Sequence, residues 1–149
     1  MASENVSPNR IQDIMYGFWA SKSLFAGVEL GVFDELAKTP GGAEVLSVRL
    51  HTDPSALERL LNALTALGLL IKKKDIFSLS PESEEYLVKS KPAYIGGQAE
   101  HLSRLHWRLW QYLPDAIREG TPRIMQALGP GFEAFATVFQ LPQEVRAFI

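Results

Sequence analysis

Chemistry has few places to start in this sequence. Of its three histidines, His51 falls in the turn-like run His51-Thr52-Asp53-Pro54, while His101 and His106 lie in a helical pattern. Residues five apart on an α-helix do not share a face as i, i+4 ligands do, so the pair predicts no metal site. His106 is expected to pack beside Trp110. There is no cysteine, which removes disulfides, thiolate ligands and cysteine nucleophiles together. No zinc-protease or nucleophile-elbow motif occurs. Gly41-Gly42 and Gly96-Gly97 are bare doublets outside any βαβ unit, so neither reads as a nucleotide loop. The carboxylate pairs Asp34-Glu35 and Glu84-Glu85 sit in charged stretches where nothing forces them to share a proton. No catalytic residue and no metal ligand is assigned.

The informative side chains are aromatic. Trp107 falls nearly opposite the leucine stripe of its helical pattern, where polar residues are expected. A tryptophan there is exposed, packs on a neighbouring loop, joins a partner surface or lines a ligand pocket. Tyr16 and Trp19 likewise stand off the stripe formed by Ile11, Ile14, Met15 and Phe18.

The elements that hold these residues read as mainly helical. A first helix starts near Pro8 or Asn9, and a second covers 21–30 with Leu24, Phe25 and Val28 inward. Gly31 interrupts, a short helix follows over 32–37, and Thr39-Pro40-Gly41-Gly42 is a break. After a helix over 43–50, Thr52 or Asp53 caps the next one with Pro54 at its first position. Leu57, Leu60, Leu61, Leu64 and Leu67 repeat at helical spacing, and Gly68 stops the run. Two β-like runs, 70–72 and 76–79, flank Lys73-Lys74-Asp75. Helix, turn, helix, hairpin is the winged-helix pattern. Pro81 opens another short helix. From about Tyr94 to Glu119 the pattern is one long helix, striped by Leu102, Leu105, Leu109, Leu113 and Ala116 and kinked at Pro114. Two short helices are expected over 132–139 and 142–149. The chain divides as a winged-helix domain over 1–120 and a helical connector over 121–149.

A winged helix raises the question of nucleic acid. The second helix of the pair offers Arg59 and Asn62 to base edges, offset by Glu58, and the hairpin carries Lys72, Lys73 and Lys74. With a net charge of -2 and an isoelectric point near 5.9, the chain lacks a broad basic surface, so nucleic acid is not the expected partner. A 149-residue chain that is 46% hydrophobic suits one globular domain. No signal peptide or membrane span is read, which makes a cytoplasmic location the expectation.

The run from Phe18-Trp19-Ala20-Ser21-Lys22-Ser23-Leu24-Phe25-Ala26-Gly27-Val28-Glu29-Leu30-Gly31 to Leu36 resembles the opening of S-adenosylmethionine-dependent small-molecule O-methyltransferases, of the acetylserotonin (hydroxyindole) type. Leu60-Leu61-Asn62-Ala63-Leu64 with Leu67-Gly68-Leu69-Leu70 is a second match. Tyr94-Ile95-Gly96-Gly97 with Asp115-Ala116-Ile117-Arg118-Glu119-Gly120 is a third. The resemblance implies a winged helix that builds a homodimer and helps close the pocket of a small aromatic substrate. It implies that the donor loop, the acid that holds the donor ribose and the catalytic histidine lie beyond Ile149. This chain alone is then expected to be inactive and to bind no cofactor. Phe18, Trp19, Leu24 and Phe25 are the expected dimer contacts; Trp107, Trp110 and Tyr94 are the expected aromatic wall. A stand-alone DNA-binding regulator and a non-catalytic dimeric ligand-binding scaffold are the alternatives.

Overall fold

From Asn9 to Glu29 no proline intervenes, and Ser21 and Ser23 are mediocre helix formers that do not end a helix by themselves. The computed structural model, which describes residues 8–130, accordingly shows one helix, α1 (Asn9–Glu29), where a break near residue 21 was expected. The expected helices over 132–139 and 142–149 lie outside the described residues. Two compact units divide the chain, Met1–Glu100 and His101–Ile149.

In the first unit, Gly31 turns the chain at a φ of 75°, a left-handed conformation that suits glycine, and α2 (Val32–Lys38) follows. Next come α3 (Ala43–Leu50) and α4 (Pro54–Ala66). Asp53 caps α4, its carboxylate accepting from Ala56 N–H at 2.7 Å, a contact worth about 1 kcal/mol. Leu57, Leu61 and Leu64 are buried, while Leu67 sits past the helix end and is exposed.

Strands β1 (Leu70–Lys73) and β2 (Ile76–Leu79) form an antiparallel hairpin in register Leu70↔Leu79 through Lys73↔Ile76. Lys73 therefore belongs to the strand, and Lys74 and Asp75 alone make the turn. Gly41, read as part of a break, instead bridges to Phe77: each N–H donates to the other's carbonyl, at 3.1 and 3.0 Å. Ser80 caps α5 (Pro81–Tyr86), and α6 (Gly96–His101) contributes Ala99 to the core. Phe33, Phe77, Leu46, Leu61, Leu64 and Val32 are almost wholly buried at its centre.

In the second unit the expected single helix is interrupted twice. Leu102–His106 winds as a π turn, followed by α7 (Trp107–Trp110). Gln111 and Tyr112 then break the winding before α8 (Leu113–Glu119), which takes Pro114 in its first turn, where a missing N–H costs least. A helix absent from the sequence reading, α9 (Ile124–Leu128), buries Ile124, Ala127 and Leu128 against Leu105, Leu109 and Tyr112. Among the described residues, Leu105 and Leu109 are the members of the leucine stripe that serve this core. Leu102 and Leu113 are exposed because the π turn and the break shift the phase on either side of them.

Candidate functional site

The front of α1 is an apolar surface. Every residue from Asn9 to Trp19 is exposed. Ile14 is 72% and Trp19 59% accessible, and Ile11, Met15, Tyr16 and Phe18 are exposed with them. Tyr16 stacks on Trp19 with ring centroids 4.8 Å apart, and Phe18 meets Trp19 edge-on at 5.9 Å. Large rings held together in solvent mark a contact surface more strongly than scattered apolar residues do. Leu24 and Phe25, grouped with Phe18 and Trp19 on sequence grounds, sit farther along α1, partly buried against the core.

On the face of the winged helix that would read nucleic acid, the exposed side chains bond to one another. Lys72 Nζ lies 2.9 Å from Asn62 Oδ1, 3.5 Å from Glu58 Oε1 and 4.8 Å from the centre of the Phe77 ring. Arg59 donates to Ser55 Oγ at 3.0 Å. Both side chains suited to base edges thus have partners inside the chain, and one lysine of the wing is spent on them. Lys73 and Lys74 remain exposed at the hairpin tip, as solvated charges that protect a sheet edge.

Tyr94 belongs to the first unit and is half-buried. Its ring covers Gly96 so closely that a Cβ there has no room. Its hydroxyl oxygen is buried with no hydrogen-bond partner among the described residues. Burial, and then the charges of Glu100 and Asp34, push the phenol's pKa up from its ordinary value of 10.0. A raised phenol favours the fold while both states stay protonated, below the unfolded value. That advantage is lost as pH rises through the folded value. The melting temperature of the wild type is therefore expected to fall more steeply above about pH 10 than that of Tyr94→Phe. Near neutrality the variant should be at least as stable, because an unsatisfied buried hydroxyl is removed. Parallel alkaline slopes would refute this reading.

Trp107 and Trp110 belong to the second unit, Trp107 half-buried and Trp110 64% exposed. The expectation for the histidines is corrected here. The ring of His106, expected beside Trp110 and apart from His101, meets that of His101 edge-on, with centroids 5.1 Å apart. The π turn brings together residues that an α-helix would separate.

A nucleotide loop of the dinucleotide-binding kind needs an open glycine turn and an acid for the ribose. Gly42 is closed by Asp75 O, which a Cβ would meet at 3.1 Å, and Gly96 lies under Tyr94. The cleft of about 440 Å³ beside Gly42 is lined by Glu44, Glu58 and Asp75, a field that favours cationic over anionic groups.

A winged helix whose first helix presents an exposed aromatic front has the surface of a pairing domain. Residues 12–89 match the family model of the O-methyltransferase dimerisation domain, and the chain belongs to that family. It is 32% identical to human acetylserotonin O-methyltransferase over 99% of this chain and 45% of that protein. It is 35% identical to the N,N-dimethyltransferase OxyT of Streptomyces rimosus over 85% of this chain and 36% of that one. The solved structure of the human N-acetylserotonin methyltransferase with SAM superposes with a TM-score of 0.81, at 28% identity, over 99% of this chain and 45% of that one. The chain spans less than half the length of these relatives.

Proposed function

We propose that this chain is the dimerisation and substrate-lid part of a SAM-dependent O-methyltransferase that acts on a hydroxyl of a small aromatic molecule. The observation that carries the pairing role is the exposed front of α1, where Ile11, Ile14, Met15, Tyr16, Phe18 and Trp19 are all solvent-accessible. Phe18 and Trp19 make the contact with a second copy. Leu24 and Phe25 support it from behind by anchoring the same helix to the core. Trp107, Trp110 and Tyr94 supply aromatic surface to the substrate. The donor is held by a separate domain. That domain also provides the base that takes the hydroxyl proton as the methyl moves. No residue described here takes a chemical step, and the isolated chain is inactive and binds no donor. The connector over 121–149 leads toward the catalytic domain. The work is done in the cytoplasm; among the described residues no helix is long and apolar enough to cross a membrane.

The pairing role is tested by light scattering at micromolar concentration. The expected mass is twice the 16.6 kDa of the chain, and a monomer throughout the range would overturn it. Duplex DNA titrated at low salt, where phosphate contacts are strongest, is expected to give no binding. A salt-sensitive complex weakened by neutralising Lys73 and Lys74 would instead favour the regulator.

A further inference from the structure

We propose that His101 and His106 form a two-imidazole chelate for a borderline transition-metal ion, with Zn²⁺ as the reference case. The pairing depends on the backbone between them. Trp107 N–H donates to Leu102 O, five residues back, which is the bonding of a π turn. That wider winding stacks residues five apart, so His106 comes over His101. A tetrahedral zinc ion with Zn–N bonds of about 2.0–2.1 Å holds the centroids of two ligating imidazoles roughly 5 Å apart. The observed 5.1 Å is that span, with the ring planes inclined at 62°. Turning the rings about their Cβ–Cγ bonds brings a nitrogen of each toward the gap. His101 is exposed and His106 half-buried, so the first has room to turn and the second is held.

Among the described residues no third histidine or carboxylate completes a ligand set. Water fills the remaining positions, which makes this a weak, exchangeable site and not a structural one. Its consequence lies downstream. An ion bridging the two ends of the turn holds it in π winding. Reversion to α winding would rotate the following residues by about 100°, carrying Trp107 and Trp110 with them. π turns of this kind concentrate at functional sites.

Calorimetric titration of the intact chain with Zn²⁺ tests the site, together with imidazole nitrogen NMR. One ion per chain is expected, with the His101 and His106 resonances shifting together and those of His51 unmoved. His101→Gln and His106→Gln should each weaken binding by about tenfold or more, because half a chelate loses the effective concentration of its second arm. The double variant should be little worse than either single one, and His51→Gln should bind as the wild type does. Wild-type affinity in either single variant overturns the proposal, as does a double variant whose loss is the product of the two. Should a variant fail to fold, the wild-type spectrum decides: a shift confined to one imidazole refutes the chelate.

Discussion

Trp19→Asp is expected to turn the dimer into monomers while leaving the fold of each chain intact. Trp19 is 59% exposed and Ile14 72% in the single chain, so neither contributes much to the chain's own core. The front half of α1 is too short to be stable alone in water, and packing is what normally secures such a helix. A second copy laid on Ile14, Phe18 and Trp19 supplies that packing. A buried tryptophan at the centre of such a contact is worth about 2–4 kcal/mol, and an aspartate adds the cost of a desolvated charge. The dimer dissociation constant should rise roughly 30- to 1,000-fold, with the helical circular dichroism largely retained. Leu24→Asp is the contrasting variant. Leu24 packs against the core, so a charge there should unfold the first unit instead of merely separating two copies. If Trp19→Asp keeps the wild-type mass, the pairing surface is elsewhere.

The contrast between Trp19 and Leu24 shows where the sequence was readable. Periodicity picked out the apolar residues of α1 but divided the helix near residue 21 and set Tyr16 and Trp19 apart from a stripe that is exposed with them, because it carries no record of which partner each faces. Intrachain and interchain contacts obey the same spacing. The α4 leucines, the Asp53 cap and the hairpin were legible because each depends on residues a few positions apart. Gly41 was not, because its bridge to Phe77 joins residues far apart in sequence, and a glycine before a helix reads locally as a break. The His101–His106 contact was hidden for a different reason. Counting at 3.6 residues per turn assumes α winding, and a π turn announces itself through no residue type. The same slip in phase explains why Leu102 and Leu113 left the stripe. It also explains why Tyr112 took a place on α9 that the pattern had not offered it. Trp107 stood out by its polar surroundings opposite the leucine stripe, and those surroundings do not name what covers it.

Phe33→Ala should have the largest effect on stability. Phe33 is 1% exposed, and its ring edge fills the space in front of Gly27. A Cβ at Gly27 would stand 3.1 Å from Phe33 Cε2 and 3.0 Å from Leu64 Cδ1. That glycine is therefore where α1, α2 and α4 close on one another, and the ring takes the place of the side chain it lacks. Emptying the site removes both the transfer energy of a phenyl group and the contacts of the cavity walls, about 3–5 kcal/mol. Against a total of about 5–15 kcal/mol this leaves a chain near its threshold. The urea midpoint should fall accordingly, and the dimer should weaken with it because α1 loses its anchor. Gly27→Ala supplies an internal check. On the wild-type background its methyl group presses on the ring and on Leu64, offsetting what alanine gains over glycine in a helix. With Phe33 removed, the same methyl enters vacated space. The double variant should then be more stable than the sum of the single changes predicts, by about 0.5–2 kcal/mol. Strict additivity would mean that Gly27 and Phe33 do not share one cavity, and that α1 is anchored by other contacts.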